Sequence, residues 1–138
     1  MTGPLLGAVV VASNRAAAGV YEDATGPLLV EFLTRLGFET GAPAVVADGE
    51  PVGDAIRAAV EAGARVVLTT GGTGLTPTDR TPEVTRPLLD VEIPGLAGRI
   101  GSCLVVNLPG SRGGVTDALA VLEPVLLHAV EQVVGSDH

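Results

Sequence analysis

Apolar positions come in short blocks separated by glycine, proline and polar residues, and the spacing inside the blocks alternates between two kinds. "LLGAVVVAS", residues 5–13, is continuously apolar and rich in β-branched residues. That is the signature of a strand buried on both faces. After the polar stretch "NRAAAGVYED", the segment "TGPLLVEFLTRLG" changes to helical spacing at Leu28, Leu29, Phe32, Leu33 and Leu36, with Gly37 as a stop. "APAVVAD" predicts a second, shorter strand, and "PVGDAIRAAVEAG" a helix ending at Gly63. "ARVVLTTGG" is the clearest strand, and it runs into a glycine loop.

In "TPEVTRPLLD", Thr81 stands where an N-cap belongs, with Pro82 at the first helical position and Glu83 in the first turn. A short helix is expected there, and another over "IPGLAGRI". "GSCLVVNLPG" predicts a strand leading to a second glycine loop, and "GVTDALAVL" and "PVLLHAVEQVVG" predict helices divided at Pro124. Strand and helix alternate throughout, without internal repeat, linker or low-complexity segment. The expectation is an α/β fold whose parallel sheet is covered on both faces, built as one domain over residues 1–138.

Composition sharpens this. Hydrophobic residues make up 46% of the chain and aromatic ones 2%, so the core is built of Val, Leu, Ile and Ala. The formal net charge is −8 and all eight basic residues are Arg. An acidic chain argues against nucleic acid and anionic lipid as partners, and the absence of Lys excludes Schiff-base chemistry and a Walker lysine. Cys103 is alone, which excludes an intrachain disulfide, and within "SCLVVN" it reads as a small core residue. His128, in "VLLHAVEQVV", reads as a tolerated helix residue. No basic leader is evident and no stretch approaches the ~18 apolar residues of a membrane span. The expected location is cytoplasmic.

In open parallel sheets ligands bind beyond the carboxyl ends of the strands, where strand order reverses. The loops to inspect are therefore "SNRAAAGVYED", "ADGEP", "TTGGTGLTPTDRTPE" and "NLPGSRGG". "GGTGLTPTDR" lacks the GK[ST] of a P-loop and the third glycine of a dinucleotide turn. Its backbone N–H groups suit an anion-binding nest, and a tight strand-to-helix connection is the alternative. Asp79, beside that nest, is suited to hold Mg²⁺ between itself and a bound phosphate, or it is a turn residue. Asp48 is first a turn signal in "VVADGEP", yet its carboxylate emerges on the same rim if its strand lies beside "RVVLTT". Two carboxylates with bound phosphates are the ingredients of a magnesium site for phosphoryl or nucleotidyl transfer. In "NLPGSRGG", Ser111 and Arg112 suit an anionic ligand, the alternative being a type II turn at Pro109-Gly110 with a solvated Arg.

With "TTGGTG", "TPTDRTPE", "IPGL" and "NLPGS" in that order, the chain resembles the molybdopterin adenylyltransferases. This is the MogA and MoaB family of molybdenum-cofactor biosynthesis, to which the gephyrin G domain also belongs. The likeness runs from about Val9 to Val134. It implies a three-layer α/β/α sandwich with a mostly parallel sheet, commonly a trimer. It also implies a reaction in which ATP and molybdopterin give adenylyl-molybdopterin and pyrophosphate with Mg²⁺, before hand-over to a molybdenum-insertion enzyme. Carried over by motif, Gly71, Gly72, Thr73 and Gly74 contact nucleotide or pterin phosphate. Asp48 and Asp79 are the acidic pair essential for transfer and hold the magnesium. Pro109, Gly110 and Ser111 line the nucleotide side, and Ser13 joins the pocket from the first loop.

There are two departures. Asn14 stands where related enzymes often have Asp, which forfeits a carboxylate contact. Relatives also carry a longer segment between "PGLA" and "LVVNLPG", including a Ser-Arg motif that helps bind the pterin, whereas here Ile100 runs straight into Gly101. Because the flanking motifs are well kept, a further segment of chain is expected between those two residues. The same departures raise two alternatives to an enzyme: a binding module that sequesters molybdopterin or nucleotide without turnover, or a trimeric scaffold for partner proteins.

Overall fold

The computed structural model describes residues 5–14, 25–71, 81, 91–93 and 97–135. Strand β1, Leu6–Ala12, carries the apolar run of the N-terminal block into the middle of a mixed sheet. On one side it pairs in parallel with two short strands, β2 (Glu39–Thr40) and β3 (Ala44–Val46). On the other it pairs in parallel with β4, Val66–Thr70, which pairs in parallel with β7, Cys103–Leu108. Beyond β7 the sheet turns antiparallel through β6 (Ala97–Ile100) and β5 (Val91–Ile93). The order is β2-β1-β4-β7-β6-β5, with β3 also on β1. β2 was not foreseen in the sequence; two residues are too few to make a pattern.

Three helices among the described residues cover the sheet. In α1, Gly26–Arg35, Leu29, Phe32 and Leu33 are buried. In α2, Glu50–Glu61, Val52 and Ile56 are buried. In α3, Arg112–Val134, Val115, Leu126 and Val130 are buried. Side chains alternate along each strand, so one sheet face sends Val9, Val11 and Leu68 into the core beneath α1 and α3. The other sends Val10, Val67 and Val105 toward Val52 and Ile56 of α2. Both faces are apolar, which explains why the strands read as continuous runs. The expected α/β architecture, mostly parallel with helices on both faces, is the one observed.

Four expectations are corrected. "IPGLAGRI" contributes strands, not a helix: Ala97–Ile100 pairs along β7, with Ile100 opposite Cys103. So short a segment gains little as an isolated helix, whereas an adjacent strand supplies a complete ladder. α3 runs unbroken through Pro124. The missing N–H of a proline would have reached back one turn, and both Pro124 and Ala120 lie on the solvent side, where water replaces the bond.

The further segment expected between Ile100 and Gly101 does not exist in this chain. β6 and β7 are closed by the two-residue turn Gly101-Ser102, with the Arg99 guanidinium donating to the Gly101 carbonyl at 2.8 Å. Finally, α3 is by length and composition apolar enough to cross a membrane, contrary to the expectation that no stretch would be. In the fold, one side of α3 packs on β7 and the core beside it. The short helix expected from Thr81 lies outside the described residues beyond Thr81 itself.

Candidate functional site

The connections leaving β1 set the location. The chain passes from β1 through α1 to β2 and β3 on one side, then through α2 to β4 on the other. Strand order therefore reverses between β1 and β4, and in open α/β sheets the carboxyl ends at such a reversal are where ligands generally bind. Ser13, Gly71 and the segment Pro109–Ser111 follow directly on the carboxyl ends of β1, β4 and β7, and Asp48 lies two residues past the end of β3.

Hydrogen bonds join these ends into one rim. The Ser13 N–H donates to the Val46 carbonyl at 3.0 Å. The Asp48 N–H donates to Asn14 Oδ1 at 2.9 Å, and Asp48 Oδ1 accepts from the Gly49 N–H at 2.9 Å, just before α2 begins. Asn14 thus holds the backbone of Asp48, and the carboxylate is turned by its own loop. Sequence reading treated Asn14 as a loss; its amide oxygen makes a link that either Asn or Asp can make.

Gly71 is the centre of the rim. Its φ is +90°, and a Cβ there would stand 2.3 Å from the Ala12 carbonyl oxygen. Glycine is required on both counts. Its N–H donates to the Leu108 carbonyl at 3.2 Å, and its own carbonyl accepts from the Thr81 hydroxyl at 3.0 Å. Gly71 and Thr81 are thus tied to each other directly. Gly110 has no positive φ, which rules out a type II turn at Pro109-Gly110. It is small for another reason: a Cβ there would lie 3.2 Å from Gly71 Cα. The two glycine loops are in contact where they leave the sheet.

Buried hydroxyls reinforce that contact. Thr69 Oγ1 donates to Asn107 Oδ1 at 2.8 Å across the β4–β7 ladder, and Thr70 Oγ1 donates to the Pro109 carbonyl at 2.7 Å. Thr69, Thr70 and Thr81 are all buried to within 1% of completely. The sequence places Thr81 at an N-cap and Thr69 and Thr70 at the head of the glycine motif, but it assigns no hydrogen-bond partner to any of the three hydroxyls. The signal was there, since two threonines end a strand whose other residues are Val and Leu, and a hydroxyl in such a place needs a partner. Ser111 caps α3, its Oγ accepting from the Gly114 N–H at 3.0 Å. Arg112, at the start of that helix, is exposed.

Gly72, Thr73, Gly74 and Asp79 lie outside the described residues, as do Tyr21 and Asp23. Among the described residues no three of His, Cys, Asp and Glu cluster as metal ligands. Asp48 is placed on the rim, and its carboxylate is a hard oxygen donor of the kind Mg²⁺ takes. Cys103 is buried, and loss of hydration pushes its thiol up to about 12, against a smaller opposing pull from the Arg65 guanidinium. A thiol so reluctant to ionise is no nucleophile, as its strand position led us to expect. His128 is on the exposed side of α3.

Residues 8–128 match the family described as "Probable molybdopterin binding domain". The chain is similar to a molybdenum cofactor biosynthesis bifunctional protein of Synechococcus elongatus, 37% identical over 163 aligned positions covering 99% of this chain and 51% of the relative. It is 32% identical to a molybdopterin adenylyltransferase of Pyrococcus furiosus over 148 positions, covering 89% of this chain and 88% of that one. Among solved structures it resembles the molybdopterin biosynthesis Mog protein from Mycobacterium ulcerans, with a TM-score of 0.88 and 44% identity over 94% of this chain and 99% of the other. The chain spans about half the length of the bifunctional relatives it matches. The 163 aligned positions exceed this chain's 138 residues, so the Synechococcus relative carries residues that this chain lacks. That accords with the short Gly101-Ser102 turn.

Proposed function

Because the chain belongs to the molybdopterin-binding domain family, we propose that it is a molybdopterin adenylyltransferase of molybdenum-cofactor biosynthesis, joining ATP and molybdopterin into adenylyl-molybdopterin with release of pyrophosphate. The observation that carries this is the continuous rim at the switch point, from Asp48 through Asn14 and Ala12 to Gly71, and across to Leu108 and Gly110.

The terminal phosphate oxygen of molybdopterin attacks the α-phosphorus of ATP, the bond from that phosphorus to the bridging oxygen breaks, and pyrophosphate leaves. The work of the protein is positioning and charge compensation. Backbone amides of Gly72, Thr73 and Gly74 hold phosphate oxygens, while Gly71, whose own N–H is committed to the Leu108 carbonyl, borders the phosphates as the residue that sets where the loop leaves the sheet. Pro109, Gly110 and Ser111 line the nucleotide side, and Ser13 borders the pocket from β1. Asp48 and Asp79 hold Mg²⁺, which when bound offsets phosphate charge in a chain of net charge −8. No covalent enzyme intermediate is needed, in keeping with the absence of Lys and the high thiol of Cys103.

A homotrimer, cytoplasmic residence and hand-over of product to a molybdenum-insertion enzyme go with this proposal. Val121 and Val125 of α3, 72% and 53% exposed, favour a covered face in an oligomer.

Asp48→Asn and Asp79→Asn are each expected to lower the rate of pyrophosphate release roughly 10²-fold or more at unchanged melting temperature. Undiminished turnover in either variant removes that residue from the proposed role. Pterin binding by titration calorimetry with no pyrophosphate release from the unsubstituted protein supports the binding module instead.

A further inference from the structure

We propose that Thr70 is a positioning residue for adenylyl transfer, a clamp that sets the spacing of the two glycine loops; this rests on the function proposed above. Thr70 ends β4 and is 1% exposed, on the same sheet face as Val66 and Leu68. A valine would fill that space with no polar group to satisfy. The hydroxyl is accounted for by its bond: Oγ1 donates to the Pro109 carbonyl at 2.7 Å.

The position of that bond gives it its consequence. The β4–β7 ladder ends with Thr70 opposite Leu108, and the Gly71 N–H donates to the Leu108 carbonyl. The Thr70 hydroxyl extends the join by one residue, onto the carbonyl that leads directly into Gly110 and Ser111. Gly110 packs on Gly71 Cα, and Ser111 caps α3. Gly71 is thereby held at its N–H by Leu108, at its carbonyl by Thr81 and at its Cα by Gly110. If Thr70 lets go of Pro109, the two loops stay joined through the Gly71–Leu108 bond and the Gly110 contact, but the start of the loop that lines the nucleotide is no longer held at a fixed distance from the loop that holds phosphate. Each loop still binds its part of the substrates, but the attacking oxygen and the α-phosphorus are no longer kept in line. The loss then falls on kcat rather than on KM.

The test compares Thr70→Val and Thr70→Ser with the unsubstituted protein, by pyrophosphate release from ATP and molybdopterin and by hydrogen-exchange mass spectrometry. Thr70→Val is expected to lower kcat at least tenfold with KM for ATP changed less than threefold. Thr70→Ser, which keeps the hydroxyl, is expected to recover kcat to within threefold. Amide exchange in 110–114 is expected to quicken in the Val variant and to return to the original rate in the Ser variant. Full kcat in Thr70→Val, or a Ser variant as impaired as the Val variant, overturns the inference. If the unsubstituted protein releases no pyrophosphate, it is the adenylyltransferase function that fails. The clamp is then decided by exchange alone: faster exchange confined to 110–114 and reversed by Ser upholds it, and unchanged exchange overturns it.

Discussion

At the level of single residues, the site is governed by what cannot be added as much as by what is present. Gly71 combines a positive φ with a Cβ direction that ends 2.3 Å from the Ala12 carbonyl oxygen. Gly71→Ala therefore forces both backbone strain and separation of β1 from β4. Denaturant unfolding is expected to show a loss of about 2–4 kcal/mol, well above the usual cost of replacing a glycine. A loss below about 1 kcal/mol shows that the strand ends relax to accept a side chain. The importance of "TTGGTG" was legible in the sequence, because so many glycines at a strand end need a cause. The cause was not legible: Gly71 is small to let β1 approach, and Gly110 is small to let Gly71 approach. Those partners lie far away in the chain. Asn14 teaches the same lesson from the polar side, since its bond to the Asp48 N–H joins positions 34 apart.

Among the elements, the apolar runs were read correctly wherever both faces of a strand are buried, as in β1, β4 and β7. The failures occurred where neighbours overrule local preference. The segment Ala97–Ile100 contains a glycine and an arginine and has no strong strand signal, but β7 lies beside it with a ladder to complete. Pro124 is an ordinary stop signal that α3 ignores, because the gap in its hydrogen bonding falls on the wet side while Val115, Leu126 and Val130 hold the inner side on the core. Pro124→Ala is accordingly expected to stabilise the protein by about 2 kcal/mol, as a raised denaturation midpoint at constant slope. A neutral or negative effect means that the stiffening of the unfolded chain by proline outweighs the hydrogen bond it removes.

For the whole molecule, charge and topology act together. A chain of net charge −8 repels nucleotide phosphates at a distance, so the proposed adenylyl transfer is expected to need a cation close to the bound phosphates. ATP with Mg²⁺ at 100 times Kd is expected to stabilise the fold by about 2.7 kcal/mol, read as a rise in melting temperature. Chelation of the metal is expected to remove most of that rise. An equal rise in the presence of chelator excludes a metal-assisted site.

The sequence by itself determined the alternation of strands and helices, the aliphatic two-faced core, the glycine loops and the family they belong to. These follow from local periodicity and from short motifs, each contained within one stretch of chain. Only the tertiary structure decided that Ala97–Ile100 is a strand, that a two-residue turn closes it onto β7, and that Gly71 is gripped from three directions. The same holds for Thr70, whose hydroxyl needs a partner at the end of an apolar strand but finds it in the Pro109 carbonyl, 2.7 Å away and 39 positions along the chain. Contacts of this kind join residues distant in the chain, and their energy depends on neighbours that a linear pattern does not specify.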